Sequence, residues 1–313
     1  MKYIIIFFIS LSLLNEASAQ CCSVGSPVGG TTNIGIVPEN NIRATLFYRY
    51  GYGNQYYQGD ACYPGEVLVK QAYSSYSGLL ADYGLTSDLT IGTELGYFVN
   101  KVQDYGVNGV KETSGLSSAV LMGKYNIFND NESEFEFTAG AGVKIPFSTT
   151  PQEQKGVTLP RDVQPTPGAF GAVAQLFFHK GFSEATTHLF LVHRIEINGR
   201  NENDYDYKYG NIYNTSLFVT KKIIPNLIGI LQLRNEIKDK DTEREKNDEE
   251  IKEISNSGGI LFFISPQLNF SFGDVFVSAL FDYPLYRYYN SRQLAGKYSF
   301  AMNFIWQLDL SGD

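Results

Sequence analysis

The sequence has little charge, few cysteine and histidine residues, and a single tryptophan. Only 19% of its 313 residues are Asp, Glu, Lys or Arg, whereas 14% are aromatic. This balance argues against intrinsic disorder, because a disordered chain combines high charge with low hydrophobicity. Lys and Arg number 25 against 33 Asp and Glu, and no basic patch occurs. Phosphate binding depends on clustered Lys and Arg, so we exclude nucleic acid as a partner.

Long hydrophobic runs are also absent, with one informative exception at the N-terminus. Lys2 precedes an apolar stretch at 3–14, and Ala17-Ser18-Ala19 follows as a small-residue cleavage site. This pattern predicts a signal peptide over 1–19, and therefore an exported protein. No run reaches the roughly 18 apolar residues that a membrane-spanning helix needs. Acylation of Cys21, as in a lipoprotein, is the alternative outcome of processing.

What the sequence has in abundance is an alternation of apolar and polar residues with a period of two, which indicates β-strands. Almost nothing shows the helical period of 3.6. In the last run the apolar positions are Tyr298, Phe300, Met302, Phe304, Trp306 and Leu308. Twelve runs are found, at 41–52, 68–84, 89–103, 112–128, 134–147, 166–180, 187–199, 210–222, 227–239, 257–272, 275–287 and 296–310.

The connections between these runs alternate between short and long. Short turns are predicted at 86–88, 129–133, 181–186, 224–226 and 273–274, and longer loops at 53–67, 104–111, 148–165, 200–209, 240–256 and 288–295. This alternation places all short turns at one end and all long loops at the other, as in bacterial outer-membrane barrels. The sequence therefore predicts an all-β fold, a transmembrane antiparallel up-and-down β-barrel of about 12 strands over 41–313, surrounded by outer-membrane lipid.

A soluble β-sandwich also alternates, so the polar face must distinguish the two folds. Much of that face consists of small residues, as at Gly92, Gly96 and Gly140. Small residues suit a crowded barrel interior, whereas the open solvent face of a sandwich would carry charges. The runs are also longer than the five or six residues usual in a sandwich strand. Both features favour the barrel.

The segment 20–40 is rich in Gly and fits no strand pattern. It is long enough to thread into the barrel lumen as a hatch, and a flexible periplasmic tail is the alternative. Cys21, Cys22 and Cys62 make an odd number of cysteines in an oxidising compartment, so one disulfide among them could form. A bridge to Cys62, in the first long loop, would require the N-terminus to pass through the barrel.

Residues 83–92 read YGLTSDLTIG, in which a Gly near the end of one strand precedes a Thr-Ser-Asp turn and the next strand. This hairpin resembles the YGLTDRLELG hairpin of outer-membrane transporters in the MetA-pathway phenol-degradation family, which are distantly similar to fatty-acid channels. The Cys-Cys start before a Gly-rich stretch is similar to barrels of the Bacteroidetes type. The resemblance implies a passive channel for small, hydrophobic or aromatic compounds.

Turning the apolar face of each strand toward lipid predicts which polar side chains enter the lumen. A mixed-charge constriction could orient permeants in a transverse field, or its members could form salt bridges that only stiffen the wall. Lumenal aromatic residues could likewise line an apolar track or pack inside a blocked barrel. The predicted constriction residues are Arg194, Glu196, Arg234, Glu236, Glu94 and Lys144.

These features predict a monomeric, porin-like channel for passive diffusion of small molecules. Its expected partners are the small-molecule permeant and the lipid of the outer membrane. We expect no catalysis, because neither a GxSxG motif nor a suitable His and Ser pair occurs, and we expect no metal and no cofactor. The alternative is a structural or partner-binding barrel with a blocked lumen. The sequence leaves the permeant, the direction of transport, the disulfide pairing and the oligomeric state open.

Overall fold

The computed structural model describes residues 35–201, 206–244 and 250–310. The predicted signal peptide and most of the predicted N-terminal segment lie outside these ranges. Twelve long strands among the described residues run alternately up and down. They are β1 (Asn41–Gly53), β2 (Gln71–Gly84), β3 (Leu89–Asp104), β4 (Val110–Asp130), β5 (Phe135–Pro146), β6 (Gly171–Phe182), β7 (Thr187–Asn198), β8 (Ile212–Ile224), β9 (Leu227–Lys238), β10 (Gly259–Phe272), β11 (Val275–Ala295) and β12 (Tyr298–Asp309).

The twelve strands form a closed antiparallel barrel in which each strand pairs with its neighbours in sequence. Closure occurs between the first and last strands, which pair from Asn41 opposite Asp309 to Tyr52 opposite Tyr298. A closed sheet satisfies the backbone hydrogen bonds of its strands internally, which is the condition for crossing a bilayer with β-structure. The predicted fold class, an up-and-down barrel of about twelve strands, is therefore confirmed.

Short turns join the strands at one end of the barrel. They lie at 85–88, 131–134, 183–186, 225–226 and 273–274, and Ser183–Ala185 within them is a short 3-10 helix. All five predicted short turns are thus found to within a few residues. In outer-membrane barrels the short turns face the periplasm and the long loops face the cell exterior, which gives the barrel its orientation.

The extracellular end carries additional short elements. These are a hairpin of Gln55–Gly59 and Ala61–Cys62, a four-stranded sheet of Arg200–Asn201, Tyr207–Lys208, Thr242–Arg244 and Ile251–Glu253, a hairpin of Glu153–Gln154 and Val157–Thr158, and 3-10 helices at Gly106–Asn108 and Arg161–Val163. The predicted loop at 288–295 is wrong, because these residues continue β11. The hairpin at 55–62 supplies that extension with backbone partners.

The outer face of the barrel is apolar. Large hydrophobic side chains are exposed on every side of it, among them Leu46, Leu121, Val143, Leu231, Phe304 and Trp306. An exposed apolar belt of this extent marks a surface that contacts lipid, and the opposite face of each strand is polar. This arrangement places the barrel in the bacterial outer membrane. In the described part of the chain, no helix is long and apolar enough to cross a membrane.

The inner face is polar and densely packed. Two glycines show how closely the lumenal side chains fit together. A Cβ atom at Gly78 would lie 2.3 Å from Cζ of Phe47, and one at Gly96 would lie 1.5 Å from the hydroxyl oxygen of Tyr76. Interior crowding therefore explains the small residues on the polar face.

Candidate permeation site

A salt bridge crosses the lumen near the middle of the barrel. Arg194 of β7 donates to both carboxylate oxygens of Glu94 of β3, at 2.7 and 2.9 Å. Its Nε also donates to Glu196 at 3.1 Å, and Lys144 Nζ donates to Glu196 at 3.0 Å. Three strands separate β3 from β7, so the bridge spans the lumen instead of following the wall. We call these four residues the Arg194 cluster.

A second set of charges fills another part of the lumen. Arg49 of β1 and Arg234 of β9 both pair with Asp282 of β11, Arg234 at 3.2 Å, and Arg234 also contacts Glu236 at 3.3 Å. The guanidinium of Arg234 lies 4.2 Å from the ring centre of Phe263. We call Arg49, Arg234, Glu236 and Asp282 the Asp282 cluster. Their side chains are 2–3% exposed, so they fill the lumen beside the strands that run from β9 through β12 to β1.

The structure places all six predicted constriction residues in the lumen but divides them between the two clusters. Arg234 and Glu236 belong to the Asp282 cluster, and the other four form the Arg194 cluster. The sequence analysis grouped the six residues as one constriction, whereas their ion pairs in the structure form two groups. Strand alternation gives the direction of each side chain, but the partner across the lumen depends on the diameter and stagger of the barrel.

A cavity of about 210 Å³ lies between the Arg194 cluster and the extracellular loops. One wall is apolar, where Phe47, Tyr76 and Phe98 pack together around the edge-to-face contact of Tyr76 and Phe98, whose ring centres are 4.6 Å apart. Lys144 and Lys238 line the charged part of the cavity. The cavity therefore joins an aromatic surface to a charged one.

The long loop between β5 and β6 contributes the outer wall of this cavity. Val163 of the loop is fully buried, and its carbonyl accepts a hydrogen bond from Thr113 of β4. Lys101 of β3 donates to the carbonyl of Gln164 at 2.9 Å. The sequence analysis predicted a long loop over 148–165 but not its docking into the barrel, although the Pro165-Thr166-Pro167 motif was a signal for a rigid segment.

Asp162 is the titratable group of that loop that borders the cavity. Burial raises the pKa of Asp162 to about 6, even though Lys101 and Lys238 nearby favour the ionised form. The carboxylate is therefore less stable in the docked loop than in water. The loop adds a group to the cavity that changes charge in mildly acidic surroundings.

The lumenal aromatic residues of the described chain form separate groups. Phe177 stacks on Phe190 near the periplasmic end, with ring centres 6.0 Å apart. Phe263 packs under Arg234, far along the sheet from the aromatic wall of the cavity. Among the described residues these groups are separate, so internal packing accounts for them, and the aromatic residues at the cavity form one of its walls.

The residues that precede β1 enter the periplasmic end of the lumen. Val37 is 2% exposed, and its N–H donates to the hydroxyl of Thr90 at 2.8 Å. A Cβ atom at Gly35 would lie 3.1 Å from side-chain atoms of both Glu136 and Phe177. The chain therefore approaches β1 from inside the barrel. The hatch formed by 20–40 stays a prediction, because residues 20–34 lie outside the described ranges.

The predicted disulfide is likewise untested. Cys62 is exposed in the extracellular hairpin, as predicted for the first long loop. Cys21 and Cys22 lie outside the described residues, so their pairing with Cys62 stays a prediction.

Two of the three histidines meet at the periplasmic end, where His179 Nε2 and His188 Nδ1 are 3.0 Å apart. His193 contacts the hydroxyl of Thr215 at 2.9 Å, on the lipid side of β7. Among the residues that the structure describes, no group of three or more His, Cys, Asp or Glu side chains could hold a metal ion.

Comparison with known proteins identifies the fold. No family model matches the chain, and no curated protein matches it. The COG4313 outer membrane channel from Pseudomonas putida F1 is similar with a TM-score of 0.66 and 12% sequence identity, over 90% of this chain and 100% of that one. The barrel has the fold of an outer-membrane channel. A TodX monoaromatic hydrocarbon channel, the deltaS2 mutant, reaches a TM-score of 0.48 at 10% identity over 87% and 90% of the two chains, too low to add to this result.

Proposed function

We propose that this protein is an outer-membrane channel through which small apolar or aromatic molecules diffuse passively. The observation that supports this function is the aromatic-walled cavity in the extracellular half of a barrel with a channel fold. Its volume of about 210 Å³ suits a molecule built on one aromatic ring, since a cavity of roughly 150 Å³ is known to hold benzene. The resemblance of the YGLTSDLTIG hairpin to phenol-degradation transporters favours the same class of permeant.

The Arg194 cluster is the constriction in this proposal. It borders the cavity on the side opposite the extracellular loops, so in this proposal a molecule that leaves the cavity toward the periplasm passes the bridge between Arg194 and Glu94. Opposite charges on facing walls produce a transverse field, which orients a polar group as it passes. Transport of this kind requires neither catalysis nor a cofactor, and one chain suffices because the lumen lies within it.

The test is uptake of phenol into proteoliposomes whose outer leaflet contains lipopolysaccharide, which slows unassisted entry. Val120 borders the cavity and is buried, whereas Val143 is exposed to lipid on β5. We expect Val120→Trp to slow phenol entry several-fold by filling the cavity, and Val143→Trp to have no effect. Mobility of the folded barrel on unheated gels verifies that both variants insert. Equal phenol entry with and without the protein would exclude a channel.

A blocked barrel that binds a partner is the second candidate, and the packing of the lumen favours it. Gln232, Asn303 and the whole Asp282 cluster are almost inaccessible. In this case neither the intact protein nor a variant with an opened Arg194 cluster would pass ions or phenol. Single-channel conductance of both proteins therefore distinguishes the two functions.

A further inference from the structure

We propose that the cavity selects small molecules that combine an aromatic or aliphatic body with one negative charge, and that Lys144 and Lys238 bind the charged group. This inference rests on the proposed channel function and adds the charge of the permeant to it. The chemistry required is that of a carboxylate attached to a single ring or a short chain.

Charges of both signs border the cavity. Its lining includes three carboxylates, those of Glu94, Asp162 and Glu196. Four cationic side chains lie on the same lining, namely Lys101, Lys144, Arg194 and Lys238. Asp241, which is buried and pairs with Lys238 at 2.9 Å, is a fourth carboxylate directly behind this lining, so the ammonium donors of the lysines, and not a net charge of the cavity, would hold the anion. The low dielectric of a narrow site makes such an interaction stronger than in water.

The two lysines retain hydrogen-bonding capacity. An ammonium group has three donors, and Lys144 directs two contacts to Glu196 and to Asn198, at 3.0 and 3.2 Å. Lys238 pairs with Asp241 at 2.9 Å and lies over the ring of Tyr209. Their side chains are 15% and 16% exposed, so part of each remains accessible from the cavity they line.

Arg194 is a weaker candidate for this role. Three of its N–H groups already donate to Glu94 and Glu196, and its side chain is 7% exposed. The guanidinium of Arg194 is occupied by the ion pairs that cross the lumen. Binding an anion there would compete with two carboxylates, whereas Lys144 and Lys238 can bind it without breaking an existing contact.

The apolar wall accounts for the body of the ligand. Phe47, Tyr76 and Phe98 present ring surfaces on β1, β2 and β3, while Lys144 and Lys238 are carried by β5 and β9. A ring placed against the aromatic wall would leave a carboxylate pointing toward the lysines. A neutral molecule of the same size would gain the apolar contact alone, and a cation in the same pose would be repelled by the ammonium groups of the two lysines.

The test uses three probes of similar size: benzoate, benzyl alcohol and benzylammonium. Their affinities for the intact protein in detergent are measured by isothermal titration calorimetry, with protein-free micelles as the blank. We expect benzoate to bind about tenfold more tightly than benzyl alcohol, since charge-assisted hydrogen bonds are about twice as strong as neutral ones, and benzylammonium to bind most weakly.

The variants Lys144→Met and Lys238→Met, made separately, should each weaken benzoate binding several-fold and leave benzyl alcohol binding unchanged. Lys222→Met is the matched control, because Lys222 is exposed at the periplasmic end of β8. Unchanged benzyl alcohol affinity also reports that each variant is folded. If benzoate and benzyl alcohol bind equally to the intact protein, the preference for anions is wrong and the channel proposal stands. If neither probe binds, the cavity is not a binding site and both proposals fail.

Discussion

Replacing Arg194 by Met should destabilise the barrel more than the loss of any surface ion pair. Arg194 makes three hydrogen bonds to two carboxylates, and the side chains of Arg194, Glu94 and Glu196 are only 7–12% exposed. Met fills similar space without charge, so two buried carboxylates lose a shared cation. Breaking a buried ion pair by removing one partner costs about 3–5 kcal/mol, and we expect the free energy of unfolding to fall by that amount.

Urea unfolding in detergent or lipid measures this loss. Trp306, the single tryptophan, lies on the lipid face of β12, so its fluorescence reports exchange of lipid for water. Arg244→Met is the control, because Arg244 pairs with Asp206 at 3.1 Å with its side chain 43% exposed, where a salt bridge contributes about 0–1 kcal/mol. The double variant Glu94→Gln with Arg194→Met should regain part of the loss.

Arg194→Met should also change the ion selectivity of the channel. The Arg194 cluster contains two cations and two carboxylates, so Arg194→Met leaves it with net negative charge. We expect the reversal potential in a salt gradient to shift toward cation selectivity.

Two outcomes would contradict these predictions. If the unfolding free energy of Arg194→Met lies within about 1 kcal/mol of that of Arg244→Met, the energetic reasoning is refuted. An unshifted reversal potential would show that the ion path does not pass the cluster.

Three further predictions test the lipid face, the docked loop and the N-terminal segment. Phe304→Arg should lower the free energy of unfolding by about 2–4 kcal/mol in lipid, and Phe304→Leu by much less, because Phe304 faces the bilayer. The pKa of Asp162 is raised from 3.8 to about 6, so the stability gained by protonation is fully present below pH 3.8 and is lost as the pH rises through 6. Asp162→Asn removes the buried charge. In urea titrations this variant should therefore be more stable than the intact protein at pH 7.5 and scarcely different from it at pH 4. If the N-terminal segment is a hatch, deleting residues 22–32 should raise conductance without preventing insertion. Peptide mapping without reductant should show whether Cys62 forms a disulfide. A free Cys62 together with unchanged conductance would identify the segment as a periplasmic tail.

Most of the barrel could be predicted from the sequence, because alternation and turn spacing are local signals. The twelve strands, the turns and the direction of each lumenal side chain follow from them. The errors occur where long-range contacts determine the ends of a strand. Strand β6 begins at Gly171 and not at 166, since Pro165 and Pro167 cannot donate to a sheet, and β11 continues to Ala295 because the hairpin at 55–62 pairs with it.

The site was less predictable, because its geometry depends on contacts across the lumen. Alternation places Arg194 and Arg234 inside, but it cannot show that Arg194 reaches Glu94 while Arg234 reaches Asp282. Alternation likewise places Gly92 on the polar face without showing what surrounds it. In the structure, a Cβ atom at Gly92 would lie 2.2 Å from the carboxylate of Asp82, so a larger residue there should disturb a packed interior.

The pairing of β1 with β12 has a consequence for how the chain reaches its final state. Asn41 finds its partner in Asp309, at the far end of the barrel sequence, and pairings of such long range form slowly. Until β12 is in place, β1 and β11 keep open edges whose backbone groups have no partner in hydrocarbon. A partly assembled sheet is therefore excluded from the bilayer core, and insertion and folding must be completed together. A chain cut before Tyr298 lacks β12 and leaves the edges of β1 and β11 open, so we expect it to fail to insert instead of making a smaller barrel.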